Sequence, residues 1–192
     1  MLFRFLAMFL SVFLSVSALA SEDTAPSSPT PPPAITAAQL PISTFAALPF
    51  VEHGYLSPNG EYVGGLFAIS GQQQIVIMPI ALKGAKPTFI PLPEGTEAGS
   101  MYWVNDDNLV VRLTTLLPVI TERWYVSRLI SINRSTGKLT KLLWDSGGQN
   151  AADILWVPND GSNEILVAAQ NSIYVGDDFW PSVYRVDVTT GK

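Results

Sequence analysis

The sequence predicts an all-β fold, its strands grouped as an incomplete β-propeller of about three four-stranded blades with the last strand missing. Three observations carry this. Beyond Leu40 the apolar residues alternate in short, β-branched runs without helical periodicity. Two separate series of turns recur with a shared spacing near fifty residues. The third unit stops directly after the turn that should launch its fourth strand.

The first element, 1–20, is expected to be a signal peptide. Arg4 precedes an apolar run from Phe5 to Val16 that only Ser11 and Ser15 interrupt, and Ala18-Leu19-Ala20 forms a small-x-small cleavage site. The run is shorter than the roughly 20 residues of a bilayer-spanning helix, so a transmembrane anchor is the weaker reading. The expected protein is exported, periplasmic or extracellular, with no stable membrane insertion after cleavage. Residues 21–40 form a Pro/Ser/Thr-rich tether, in which five of the fifteen prolines fall within SEDTAPSSPTPPPA. Such composition favours an extended spacer over packing.

The remaining chain, 41–192, is the partial propeller, with blades at about 41–93, 94–147 and 148–192. One turn series comprises Ser57-Pro58-Asn59-Gly60, Asn105-Asp106-Asp107-Asn108 and Pro158-Asn159-Asp160-Gly161, with Asn59, Asp107 and Asp160 spaced by 48 and 53. The other comprises Lys83-Gly84, Thr136-Gly137-Lys138 and Thr190-Gly191-Lys192, its glycines spaced by 53 and 54. The first unit then reads as strands at 51–56, 62–69, 74–80 and 88–92. The second reads as 100–104, 109–116, 126–132 and 138–143, and the third as 154–157, 164–169 and 182–188. Two complete blades and part of another cannot close a ring, because each blade buries its faces against two neighbours. Either further polypeptide follows Lys192 or several chains complete the ring. The first is expected, since a gene built for assembly should finish its last blade.

Composition excludes several functions. The chain holds 16 acidic and 11 basic residues, a net charge of −5, without a Lys/Arg cluster, so the electrostatic footprint of nucleic-acid binding is missing. With no cysteine there is no disulfide framework, thiolate nucleophile or cysteine metal site. No cofactor is expected.

The segment Leu56-Ser57-Pro58-Asn59-Gly60-Glu61-Tyr62-Val63 resembles the "LSPDGKxxA" turn of the propellers in the prolyl oligopeptidase family of serine peptidases and of the periplasmic Tol-system propeller. Proline presets φ and Asn-Gly supplies φ > 0, so the motif has a mechanical reason. The stretch 41–49 is similar to the lead-in of exported bacterial peptidases of that family. Tyr102-Trp103-Val104-Asn105-Asp106-Asp107-Asn108-Leu109 resembles a run common in the same propellers, and 129–138 and 183–192 resemble their hairpins. The resemblance spans about 41–192. It implies a non-catalytic N-terminal propeller of a secreted dipeptidyl- or acylaminoacyl-peptidase-like enzyme, a hydrolase. Such a propeller gates peptide substrates to a C-terminal α/β-hydrolase domain not contained in this chain. The alternative is a Tol-system-like propeller acting as a protein-binding scaffold.

No catalytic residue is assigned. No G-x-S-x-G elbow occurs in the sequence, and the single histidine, His53, lies in the lead-in to the first blade. Asp106-Asp107-Asn108 and Asp177-Asp178 carry oxygen ligands without the spacing of a calcium loop, and turn chemistry accounts for the first group, so no metal site is assigned. Asn133-Arg134-Ser135 matches a glycosylation sequon, a weak signal. The candidates for substrate or domain contact are Arg123 and Trp124, on a long connection at 117–125, and Asp177, Asp178 and Trp180, on another at 170–181. Enlarged loops commonly carry function, while Trp124 and Trp180 also suit a role as plugs between blades. Trp103 and Trp156, 53 residues apart, are expected to occupy repeated core positions.

Overall fold

In the computed structural model, residues 40–192 are described apart from 82–83, 146–147 and 173–174. The expected signal peptide and all of the tether but Leu40 lie outside the described residues. After a single helical turn, α1 (Ile42–Phe45), every extended element is a β-strand. Sheet I holds β1 (Val51–Leu56), β2 (Tyr62–Ile69), β3 (Gln72–Pro79) and β4 (Thr88–Pro91). Sheet II holds β5 (Thr96–Trp103), β6 (Asn108–Val119), β7 (Glu122–Asn133) and β8 (Leu139–Leu142). Sheet III holds β9 (Asp153–Trp156), β10 (Glu164–Ala169) and β11 (Ser182–Asp187). All pairs are antiparallel, and within each sheet the strands lie side by side in chain order. The all-β expectation holds, and the structure shows three antiparallel sheets of four, four and three strands.

The alternation of the strands dictates the layers. In β6, Leu109, Val111 and Leu113 point to sheet I and join a cluster with Leu66, Ile75, Ile77 and Ile90. The intervening Val110 points the other way, with Leu129 and Leu142, into a second cluster completed by Ile165, Val167, Val186 and Val188 of sheet III and its flank. Sheet II is therefore buried on both faces. Burying a Leu, Ile or Val side chain contributes about 1.5–3 kcal/mol each, so these two layers are the main source of stability. Gly64 makes the first layer possible: a Cβ there would lie 2.7 Å from Leu109 Cδ2 and 3.3 Å from Trp103 Cζ2.

Turn chemistry locks the layers together. Ser57 Oγ donates to Asn59 Oδ1 at 2.7 Å and accepts from Tyr62 N at 3.0 Å, while Gly60 takes φ +73°. In the next sheet Asn105 Oδ1 accepts from the backbone N–H groups of Asp107 and Asn108. The neighbouring Asp106 carboxylate reaches across to sheet I. Asp106 Oδ1 accepts from Asn59 N at 2.8 Å, and Asp107 Oδ1 lies 2.9 Å from Arg134 Nη2. Arg134 also donates to Asp106 O at 2.6 Å and sits 4.3 Å from the centre of the Tyr62 ring. Asp106 thus joins sheet II to sheet I, and Asp107 holds Arg134, which contacts Tyr62 of sheet I.

The two tryptophans expected at repeated core positions behave differently. Trp103 is 7% exposed, packs toward sheet I and donates from Nε1 to Tyr55 O at 3.0 Å. Trp156 is 54% exposed and pairs with Leu166, whose neighbour Ile165 faces sheet II, so Trp156 lies on the outward face of sheet III. The β9–β10 connection is longer than the β5–β6 connection, and the register shifts between Leu166 and Val167. Together these put the two indoles on opposite faces of their sheets.

Candidate functional site

The β6–β7 hairpin is the longest among the described residues, with twelve residues in each strand against eight in β2 and β3. Pairing continues without a break to Val119↔Glu122. The connection expected at 117–125 is therefore strand, and the loop between the strands is only Ile120-Thr121. Two-residue hairpin turns normally take Gly, Asn or Asp at the positive-φ position. Here Ile120 occupies it, at φ +55°, which removed the usual sequence mark of a turn. Thr96, Glu97 and Ala98 pair with Thr115, Thr114 and Leu113, so β5 begins four residues before the expected start at Ser100.

Arg123 and Trp124 consequently sit on β7 with their side chains on opposite faces. Trp124 is opposite Leu117 and shares its face with Thr115, Val126 and Arg128, and its Nε1 donates to Glu122 Oε2 at 3.0 Å. Arg123 is opposite Pro118 and is exposed on the other face, where Tyr125 is also exposed and Ser127 is buried.

That second face is tied to the connection at 170–181 through a short bridging segment. Gln149 donates from Nε2 to Tyr125 O at 3.1 Å and accepts at its carbonyl from Ser127 N at 3.0 Å. Gly148 N donates to Gln170 O at 2.7 Å, and Gln170 N donates to Asn150 O at 2.8 Å. A Cβ on Gly148 would come within 2.7 Å of Asn171 O, so only glycine permits this approach. Gln170 Nε2 then holds Phe179 O at 2.7 Å, which fixes the end of a 3-10 turn at Gly176–Asp178. Phe179 and Trp180 pack edge to face, 5.4 Å between centroids, and Trp180 is 74% exposed. Asp177 is exposed on the same turn, and Asp178 ends it. No hydrogen bond or ion pair joins Arg123 to Asp177 or Trp180 among the described residues. A run of hydrogen bonds therefore links Tyr125 of sheet II to Phe179 and its neighbour Trp180, while Arg123 and Asp177 stand outside it among the described residues, and Trp124 lies on the far side of its hairpin.

The face that carries Trp124 holds the feature that sequence reasoning missed. The surplus length of the hairpin leaves a groove of about 380 Å³ lined by Leu113, Leu117, Val126, Arg128, Trp144 and Pro93, with no lining residue from β1–β4. Its rim includes Thr96 and Thr115, whose hydroxyls lie 3.0 Å apart. Among the described lining residues Arg128 is the charged one, and its Nη1 donates to Ser127 O at 2.8 Å. Burial among these side chains pushes its pKa below the ordinary value. The Trp144 indole is fixed by donation to Leu129 O at 2.7 Å. The continued alternation of Leu113, Thr115 and Leu117 with Trp124, Val126 and Arg128 was the available signal.

His53 takes φ +53° at a bulge of β1 and lies 3.8 Å from Glu52, with both side chains substantially exposed. No serine hydrogen-bonds to it among the described residues. No cluster of three or more metal-ligating side chains occurs among the described residues, and no described helix is long and apolar enough to cross a membrane. The chain matches no family model and no curated protein.

Proposed function

We propose that this chain is the non-catalytic N-terminal propeller segment of an exported serine peptidase of the prolyl oligopeptidase type, gating the access of peptides to a C-terminal α/β-hydrolase domain. The observation that carries the reading is the stacking of three consecutive sheets with the middle one buried on both faces. Sheet III repeats that pattern on its inner side only. Its outward face still presents Leu155, Trp156 and Val183 to solvent, a surface suited to another sheet.

The turn from Asp187 to Lys192 supports the same reading. Asn133 N donates to Lys138 O at 3.0 Å and Gly137 N to Asn133 O at 2.8 Å, and this turn leads from β7 into β8. Asp187 N donates to Lys192 O at 2.8 Å and Gly191 N to Asp187 O at 2.7 Å. The second turn copies the first. The turn motif at 56–63 agrees with a propeller segment.

The test has two parts. The purified 192-residue chain should not hydrolyse chromogenic dipeptide or acyl-amino-acid substrates, and the reading frame after the Lys192 codon should encode a G-x-S-x-G elbow followed by Asp and then His. Turnover abolished by a serine-directed inhibitor would overturn the non-catalytic assignment. A frame that completes a propeller without a hydrolase would instead favour a protein-binding scaffold, a reading to which the exposed Tyr125, Phe179 and Trp180 lend themselves.

A further inference from the structure

Among the described residues, sheets I and III each have one face with no sheet packed on it. We infer that these two faces take each other in a second copy of the chain: the outward face of sheet III packs on the outward face of sheet I of the next copy, and two chains close a ring. The faces are read from the alternation. Gly64 and Leu66 of β2 face sheet II, so Phe67 faces away from it, together with its strand partner Val51. Ile75 and Ile77 of β3 also face sheet II, so Val76 and its partner Phe89 share the outward side. Phe50 lies edge-on to Phe67, 5.8 Å between centroids, and Phe50, Val51 and Phe89 are exposed. At the other end, Trp156 and Val183 project from sheet III beside their partners Leu166 and Ala168, away from the buried Ile165 and Val167. An antiparallel sheet with one face in solvent keeps that face polar, whereas these two end sheets carry apolar side chains on both.

The choice of a second copy rests on what such faces already take within this chain. Sheet II lays an apolar face on sheet I, and sheet III lays one on sheet II. Placing sheet I of the next copy on sheet III repeats that join in the same order. A lipid surface or a single peptide strand would cover one face and leave the other bare. Arg185 and Glu164 share the outward face of sheet III and lie 3.4 Å apart, so no lone charge is carried into the contact. The contact is head to tail, and such contacts make a closed ring or an open filament according to whether the rotation closes. Propellers close with four to eight blades, and three sheets per chain make six in a pair and nine in a trimer, which selects the pair. The inference shares with the peptidase reading only the stacking of sheets. In that reading a following sheet of a longer polypeptide holds the place that the second copy holds here, and the reading frame after Lys192 decides it separately.

The experiment exploits the lack of cysteine in the sequence. Val51→Cys and Val183→Cys are made separately in the full 192-residue chain, mixed, left to exchange and treated with a short bis-maleimide. The mixture should give a cross-linked pair with one chain of each kind, while either variant alone stays uncross-linked, because a head-to-tail contact sets unlike faces together. Sedimentation of the unaltered chain should show a two-chain species that does not grow with concentration. Val183→Glu, at an exposed position, should weaken the pair at least about tenfold with unaltered circular dichroism, since the contact would bury a charge without a partner. Phe89→Glu, exposed on the opposite face, should do the same and covers a failure of Val183→Glu to fold. A monomer at every concentration, cross-linking within a single variant, filaments that lengthen with concentration, or a pair that a folded Val183→Glu or Phe89→Glu chain still forms undiminished would each overturn the inference.

Discussion

Asp187 Oδ1 accepts from Thr189 Oγ1, from Thr189 N at 2.7 Å and from Thr190 N at 3.0 Å. The Thr189 hydroxyl contributes most to holding the Asp187 carboxyl below its usual pKa, with the backbone N–H groups adding to it. A carboxyl whose native value is depressed contributes stability that is present above the unfolded value of about 3.9 and lost as pH falls through the native value. The Gly191 amide signal should therefore shift with acid in a titration whose midpoint lies below 3.9. Asp187→Asn should keep the turn and remove the titration, because Asn133 already builds the equivalent turn with a neutral amide. Ile120 is the second residue of note. A β-branched side chain at φ +55° costs roughly 1–2 kcal/mol, so Ile120→Gly should raise stability by about 1 kcal/mol in urea unfolding, net of the added chain entropy. These two residues also explain what was legible. The Asp187–Gly191 turn stood out because Thr-Gly-Lys recurs, and the Ile120 turn was hidden because its residue broke the usual rule.

At the scale of elements, the strand boundaries of sheet I and sheet III follow the sequence to within about two residues, since alternation and Gly-bearing turns mark both ends of each run. Sheet II departs from expectation at the long hairpin, where pattern and turn signal conflicted. The candidate residues on it moved with that change: Arg123 and Trp124, expected together on a loop, are divided between two faces of one strand. Arg128 escaped notice because an Arg inside an alternating strand reads as an ordinary solvent-facing residue. The join between sheets I and II offers a direct check on the turn network. Arg134→Met removes the ion pair to Asp107, the bond to Asp106 O and the cation–π contact with Tyr62. It should lower stability by about 1–2 kcal/mol in chemical denaturation, the sum being held down by the exposure of Asp107. Loss of less than a few tenths would mean that the turns do not couple the sheets.

At the scale of the whole molecule, the period near fifty residues was legible because each repeat is one sheet, and each sheet lays one face on its predecessor. The fate of Trp156 was not, because a register shift in a single strand pair reverses the face on which a side chain emerges. Its exposure, with that of Leu155 and Val183, makes the outward face of sheet III the place where the account is most open to test. The direct measurement is the crystal structure of the protein as isolated from its source. A propeller segment predicts a further antiparallel sheet packed on Leu155, Trp156 and Val183 and a strand paired with the free edge of β11. A folded monomer in which those side chains and that edge face solvent would contradict it.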